Sequence, residues 1–499
     1  MTAGTHLQGY DPRTGRPTGD PVPVSDAGDV GQAVDAAREA SAAWAGQPGT
    51  RRAEVLDAVA DALDARTAEL VAVAEAETAL GEARLTGEVA RTSGQLRAFA
   101  GVLRDGRYLG AVLSPADRAR NRPDVRRMLY PVGPVAVFSA SNFPFAFSVV
   151  GGDTASALAA GCPVVVKAHE AQPGTSQAVA TTVRTALRAA GAPDGLLGLV
   201  HGRDAGTALV QHPAVRAVGF TGSPGGGRAL FDLAQGRPEP VPFYGELGSV
   251  NPVVVLPGVA ARRPGELAQG YAASLTLGSG QFCTNPGLLF VPQEAAPLLE
   301  EIGTQVTRST GGPLLSGRIR DAYRARTQAP PPEAAPLATG SADDTAWSVP
   351  PTVWRCTAAE LAASPGELTE EVFGPAGLVV TYASEDELAA ALTRLPGSLT
   401  GTVHAAGDEQ EAAGRIGALL RPRVGRLIHN GWPTGVAVCW AMHHGGPWPA
   451  TTASAHTSVG ATAINRWLVP TAYQDWPDAL LPPELRDANP LGIPRTVEP

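Results

Sequence analysis

Short apolar runs alternate with stretches of helical composition from Pro134 to Ala234, and this alternation restricts the architecture more than any other feature. Pro134-Val135-Ala136-Val137-Phe138, Pro163-Val164-Val165-Val166-Lys167, Leu196 to Val200 and Val215 to Phe220 read as strands. Helices are predicted over Gly152 to Ala160, Ser176 to Ala190, Gly206 to Gln211 and Gly227 to Ala234. Strands without a polar face need helices on both sides, which is the condition of a parallel sheet. The pattern therefore predicts a doubly wound α/β domain whose ligands sit beyond the carboxyl ends of its strands. A second α/β region starts near Val253-Val254-Val255-Leu256. Ahead of the first strand, Val55, Val59, Leu63, Leu70 and Val73 recur at helical spacing after Pro48-Gly49-Thr50, with Thr50 as the expected N-cap. Val125 to Tyr130 suits a hairpin arm, and Gln328 to Ala335, with Pro330-Pro331-Pro332, a surface loop.

At 499 residues the chain has the length for two or three domains. A net charge of −9, with no Lys/Arg-dense run, argues against a nucleic-acid partner. The four cysteines, Cys162, Cys283, Cys356 and Cys439, show neither CxxC nor Cys/His ligand spacing. No metal site and no disulfide framework is expected, and a reducing, cytoplasmic setting is. Met1 to Asp20 is polar and unlike a signal peptide. Val132 to Gly152 is uncharged and long enough to cross a bilayer, but Pro134, Ser139, Ser141, Asn142 and Pro144 make it a buried strand with a loop.

Gly280-Gln281-Phe282-Cys283-Thr284-Asn285-Pro286-Gly287 sets one thiol among small and polar residues. A nucleophile needs an accessible sulfur and nearby dipoles that favour thiolate, although an isolated cysteine in a Gly-rich turn is more often structural. Upstream, Phe243-Tyr244-Gly245-Glu246-Leu247-Gly248 offers one carboxylate in an uncharged run. A thiol with a separate carboxylate base is what two-step oxidation of an aldehyde through a thioester requires. Asn142, in the loop after a strand, has an amide able to donate to an oxyanion or to satisfy a turn. Thr221-Gly222-Ser223-Pro224-Gly225-Gly226-Gly227 follows a strand and opens a helix, as a phosphate-binding turn or a simple structural one. Lys167 ends a strand, where it is either solvated or a ribose or phosphate contact, and Glu370-Glu371-Val372-Phe373-Gly374-Pro375 pairs two carboxylates with an aromatic.

In this order and at these separations, Asn-Phe-Pro, strand-terminal Lys, Phe-Thr-Gly-Ser, Glu-Leu-Gly, Gly-Gln-x-Cys-Thr and Glu-x-Phe-Gly-Pro make the chain resemble the NAD(P)-dependent aldehyde dehydrogenase superfamily. The resemblance covers nearly the whole chain. It implies a Rossmann-type cofactor domain over 1–120 and 134–247 and an α/β catalytic domain over 248–455. A small β oligomerisation arm with the tail would occupy 121–133 and 456–499, in a homodimer or homotetramer. By the same likeness Cys283 is the nucleophile, Asn142 and the Cys283 N–H hold the oxyanion, and Glu246 activates water. Lys167 and Glu170 match adenosine-ribose contacts, Ser223 the pyrophosphate contact and Glu371 the nicotinamide-ribose ligand, with Phe373 packing nearby.

Ser141 and Ser249 depart from the pattern of many relatives. Glu246-Leu247-Gly248-Ser249-Val250-Asn251-Pro252, His444-Gly445-Gly446-Pro447-Trp448-Pro449 and Tyr473-Gln474-Asp475-Trp476-Pro477 look like the 2-oxoglutarate semialdehyde branch, which also contains an NADP-linked long-chain aldehyde dehydrogenase. The expected substrate is that semialdehyde, with medium- or long-chain aliphatic aldehydes the alternative. NAD is expected over NADP, because the Glu170 carboxylate would repel a 2′-phosphate. Retention of Glu246 argues against a CoA-acylating enzyme, and retention of Cys283, Glu246 and Asn142 against a silent scaffold. A redox-sensing protein would need a resolving thiol, for which Cys439 is the candidate. Phe143, Phe145, Phe147, Trp432, Trp440 and Trp448 are expected to line or approach the tunnel, with His443 and His444 as candidate anchors for a substrate carboxylate.

Overall fold

The valine runs fold as their lack of a polar face requires. In the computed structural model, which describes residues 5–498, five parallel strands lie in the order Leu197–Val200, Val164–Lys167, Val135–Phe138, Ala217–Thr221, Phe243–Glu246. Alternate side chains serve two separate cores. Val135, Val137, Val164 and Val166 pack with helices Gly49–Ala65, Glu82–Asp105, Gly152–Ala160 and Pro173–Ala189. Ala136, Phe138 and Val165 pack with Ala27–Ala45, Arg203–Gln211 and Pro224–Gln235. Winding reverses between Val135–Phe138 and Ala217–Thr221, and the crevice at that reversal is where open α/β sheets bind ligands. One sequence expectation fails here. The helix begins at Gly49 with Pro48 in the cap position and no side-chain cap, so Thr50 lies inside its first turn.

A second sheet has seven strands, in the order Ala335–Thr339, Thr352–Thr357, Ala376–Tyr382, Leu288–Pro292, Val253–Val255, Ser398–His404, Val424–His429. All pair in parallel except the first with the second. The loop between helix Gly317–Gln328 and Ala335–Thr339 carries the proline run, though Pro331 is buried rather than at the surface.

Val125–Pro131 is a strand, but its partners make a sheet rather than a lone hairpin. Val112–Ser114 and Leu468–Gln474 flank it antiparallel, and Thr496–Val497 lies beyond Val112–Ser114. The tail is fixed to the first core just before that strand. Fully buried Trp467 donates from Nε1 to Ser156 Oγ at 2.8 Å, and Arg466 Nη2 meets Asp153 Oδ1 at 2.7 Å. Among the described residues no helix is long and apolar enough to cross a membrane.

Candidate active site

Three segments far apart in sequence meet at the Cys283 thiol. Cys283 lies in the turn leading into Leu288–Pro292 of the second sheet, and Glu246 ends the edge strand of the first. His444, in the long loop after Val424–His429, stands between them: its Nε2 is 3.5 Å from Cys283 Sγ and 3.1 Å from Glu246 Oε1. The loop reaches there because it closes the edge of the first sheet, with Leu247 N donating to Ala450 O and Gly245 N to Thr452 Oγ1, both at 2.8 Å. Gly445 and Gly446 permit the approach, since a Cβ on Gly446 would strike the Ser398 carbonyl. Ser458 Oγ donates to Glu246 Oε2 at 2.7 Å, and Ser458 N to the His444 carbonyl at 2.9 Å.

The thiol's turn is anchored from behind by Asn251, fully buried at φ +44°. Its Nδ2 donates to the carbonyls of Cys283 at 2.8 Å and Asn285 at 2.9 Å. Its Oδ1 accepts from Ser249 Oγ at 2.7 Å and from Thr400 N and Oγ1. Ser249 is therefore an adapted position: its hydroxyl also accepts from Leu399 N at 2.9 Å, coupling the turn to the Ser398–His404 strand. Asn142, buried, uses one amide N–H to hold the Gln281 carbonyl at 3.0 Å, two residues before the thiol.

Charge in this cluster is strongly coupled. Burial pushes the Cys283 thiol well above its ordinary range, and the adjacent Glu246 carboxylate adds to the rise. Burial also pushes Glu246 upward, but the charge and hydrogen bond of His444, with hydrogen bonds from Ser458 and Cys283, outweigh it and leave the carboxyl below its usual value. His444 Nε2 stands between the thiol and the carboxylate. Cys283, Glu246 and His444 are also the one Cys/His/carboxylate trio among the described residues with metal-ligand proximity, although no zinc-type spacing announces it in the sequence.

The sequence offers His443 and His444 as substrate-carboxylate anchors or as structural residues of a Gly-rich loop. The anchor expectation for His444 is corrected by geometry: a ring nitrogen already facing Glu246 is a poor partner for a second carboxylate. The aromatic expectation also divides. Phe143 packs on Phe147 at 5.2 Å and on Phe282 at 5.3 Å between ring centroids, and Phe147 faces the His444 ring at 6.4 Å. Phe145 is buried in the first core, Trp432 packs at a tilt against His404 with ring centroids 4.7 Å apart, and Trp440 and Trp448 are exposed beneath Arg107 and Arg228. Arg84 and Arg91, unremarked in the sequence, sit over the Phe143 ring.

The five positions expected to contact a cofactor lie on two walls. Lys167 Nζ is 3.5 Å from Glu170 Oε1, and the Glu170 side chain is 46% exposed and open to a ligand. Ser223 caps the helix Pro224–Gln235, its Oγ accepting from Gly226 N at 3.4 Å. That helix start lies at the winding reversal, and a Cβ on Gly225 would meet nothing, so the Gly225 backbone faces open space where a phosphate could approach. Glu371 and Phe373 line a cleft with Ser249 and Phe282. Burial pushes the Glu371 carboxyl up to about 8; the Ser249 N–H opposes the shift and the Glu246 charge reinforces it. These residues fit a dinucleotide laid from the Lys167 strand end toward the thiol.

The aldehyde dehydrogenase family profile, described as the aldehyde dehydrogenase family, matches residues 1–452. The chain belongs to the aldehyde dehydrogenase family. It is 48% identical, over 99% of its length and 96% of the relative's, to alpha-ketoglutaric semialdehyde dehydrogenase 2 of Azospirillum brasilense. It is 40% identical, over 97% and 93%, to the alpha-ketoglutaric semialdehyde dehydrogenase of Acinetobacter baylyi. In fold it is similar to the gamma-glutamyl-gamma-aminobutyraldehyde dehydrogenase of Burkholderia cenocepacia, with TM-score 0.82 at 23% identity over 94% of this chain and 93% of that one. It is also similar to a Thermus 1-pyrroline-5-carboxylate dehydrogenase with bound NAD, with TM-score 0.80 at 22% identity over 94% and 90%. This aldehyde dehydrogenase is an NAD(P)-dependent oxidoreductase that converts an aldehyde to the carboxylic acid. The α/β architecture implied by the sequence resemblance is the one observed.

Proposed function

We propose that this enzyme oxidises 2-oxoglutarate semialdehyde to 2-oxoglutarate, with NAD as the preferred cofactor, through a thioester on Cys283. The observation that carries the chemistry is His444 Nε2 within reach of both Sγ and the Glu246 carboxylate. As Sγ bonds to the aldehyde carbon, its proton passes to this His–Glu pair, and the new alkoxide accepts from the Asn142 amide and the Cys283 N–H. Lys167, Glu170 and Ser223 would hold the adenosine and pyrophosphate parts of a bound NAD and Glu371 and Phe373 its nicotinamide end, and the cofactor would there serve as the hydride acceptor. Glu246 then takes a proton from water as the water oxygen attacks the acyl carbon; the C–S bond breaks and Sγ recovers a proton. The segments 1–120 and 134–247 would hold the cofactor and 248–455 the substrate, and 121–133 with 456–499 would join subunits. The Leu468–Gln474 edge strand, mostly exposed, suits pairing into a homodimer or homotetramer. The four free cysteines suit a reducing cytoplasm.

The substrate assignment rests on likeness to two named semialdehyde dehydrogenases across nearly the whole chain. The Phe143–Phe147–Phe282 wall favours a second reading, an aliphatic aldehyde, and chain length separates the two. The expected result is a higher kcat/KM for 2-oxoglutarate semialdehyde than for any aldehyde from butanal to decanal. A kcat/KM that climbs steadily along the alkanals and passes the semialdehyde refutes the assignment.

For the cofactor, NAD should exceed NADP in kcat/KM, because a carboxylate at Glu170 accepts from ribose hydroxyls and repels a 2′-phosphate. Glu170→Thr should move that ratio toward NADP. An NADP preference in the unaltered enzyme overturns the proposal.

A further inference from the structure

Helix Glu82–Asp105 sends three charged side chains to the substrate wall at i, i+4 and i+7 spacing: Arg84, Glu88 and Arg91. Two are engaged. Arg84 Nη2 donates to the Asn142 carbonyl at 2.7 Å, and Glu88 Oε1 accepts from Phe145 N at 2.8 Å and Ala146 N at 3.0 Å. Arg91 is not. Its Nε and Nη2 are buried without a hydrogen-bond partner, and it forms no ion pair among the described residues. It lies over two aromatic faces, with Cζ 5.7 Å from the Phe143 centroid and 5.4 Å from that of Phe147, and it feels the charge of Glu88, whose Oε2 also has no hydrogen-bond partner. Arg84 Nη1, beside it on the helix face, is unpartnered as well.

A buried guanidinium N–H left unbonded is costly, and stacking on phenyl rings does not supply the missing acceptors. The planar fork of two adjacent N–H groups matches a carboxylate. Position matters as much as chemistry. Phe147 touches Arg91 on one side and the His444 ring on the other, at 6.4 Å between centroids, so Arg91 stands one phenyl ring from the thiol's partner. Burial draws the Arg91 pKa down, and the charge of Glu88, three residues earlier on the helix, opposes that shift, as those of Cys283 and Glu246 do. In 2-oxoglutarate semialdehyde the aldehyde and carboxyl carbons are separated by four C–C bonds, roughly 5 Å when extended at about 1.5 Å per bond.

We propose that Arg91 is the anchor for the substrate's carboxylate, receiving it on Nε and Nη2 while the Phe143 and Phe147 rings flank the methylenes. This deepens the semialdehyde reading and rests on it. Selectivity for short aldehydes carrying a distal carboxylate then comes from one helix residue outside every motif that identifies the family.

The test uses purified Arg91→Met and Arg91→Lys enzymes with 2-oxoglutarate semialdehyde, succinic semialdehyde and pentanal. Glutarate serves as a competitive inhibitor against pentanal. In Arg91→Met the ratio of semialdehyde to pentanal kcat/KM should fall roughly 10- to 100-fold, the worth of one charge-assisted pair, through KM more than kcat, and glutarate inhibition should weaken in parallel. Arg91→Lys, which keeps the charge and loses the fork, should fall between, and it carries the test if the Met variant does not fold. Equal losses on pentanal and the semialdehydes mean that Arg91 only supports the wall, and an unchanged ratio means that the carboxylate is held elsewhere; either overturns the anchor. An unaltered enzyme that prefers pentanal to both semialdehydes refutes the substrate reading instead, and the glutarate arm still decides whether Arg91 binds carboxylate.

Discussion

Cys283→Ser should lower aldehyde oxidation by a factor on the order of 10³ or more while the dissociation constant for NAD stays nearly the same. The change replaces one atom. Asn251 holds this turn through the backbone carbonyls of residues 283 and 285, so the hydroxyl inherits the sulfur's position. It does not inherit its acidity or nucleophilicity, and His444 at 3.5 Å is then asked to accept a proton from a far weaker acid. Steady-state NADH production and a fluorescence titration with NAD read the two halves separately. Residual turnover above roughly a few per cent would remove Cys283 from the nucleophile's role.

Glu246→Gln should separate the two half-reactions. The amide oxygen can still accept from Ser458, so the shape of the site survives, and His444 remains beside the thiol to take its proton. What is lost is the carboxylate that activates water, whose contribution as a general base is about 10²- to 10⁴-fold. Rapid mixing should show a burst of reduced cofactor close to one per site, followed by a steady rate slowed by that factor. If burst and steady rate fall together, Glu246 acts at thiol deprotonation and His444 is not a sufficient acceptor alone.

The first sheet was readable because a strand buried on both faces leaves an unbroken apolar run, as Val164-Val165-Val166 does, and the helix start at Ser223 because glycines and a strand end flank it. The thiol, the carboxylate and Asn142 were readable because each sits in a distinctive short context. His444 was not, since its place depends on an edge-strand pairing between residues near 246 and 451 that no local pattern encodes. Arg91 escaped for a different reason. On an amphipathic helix dotted with charge, a guanidinium turned inward looks the same in sequence as one turned to solvent. Aromatic content says what can line a tunnel and nothing of which way a loop faces, so the exposure of Trp440 and Trp448 was not legible in it.

His444 and Cys283 are 161 positions apart, and His444 and Glu246 198. During synthesis the chain therefore exposes its thiol long before it owns the machinery to use it. Both large sheets can be complete once His429 has emerged, whereas the proton partner and the Ser458 hydroxyl arrive only with the next thirty or so residues, and they dock by closing contacts of very long range. A chain truncated after His429 would carry the strands of both large sheets and a thiol without its His444 partner. The thiol thus meets its His444 and Ser458-held partners only after the last strand of both large sheets has been made.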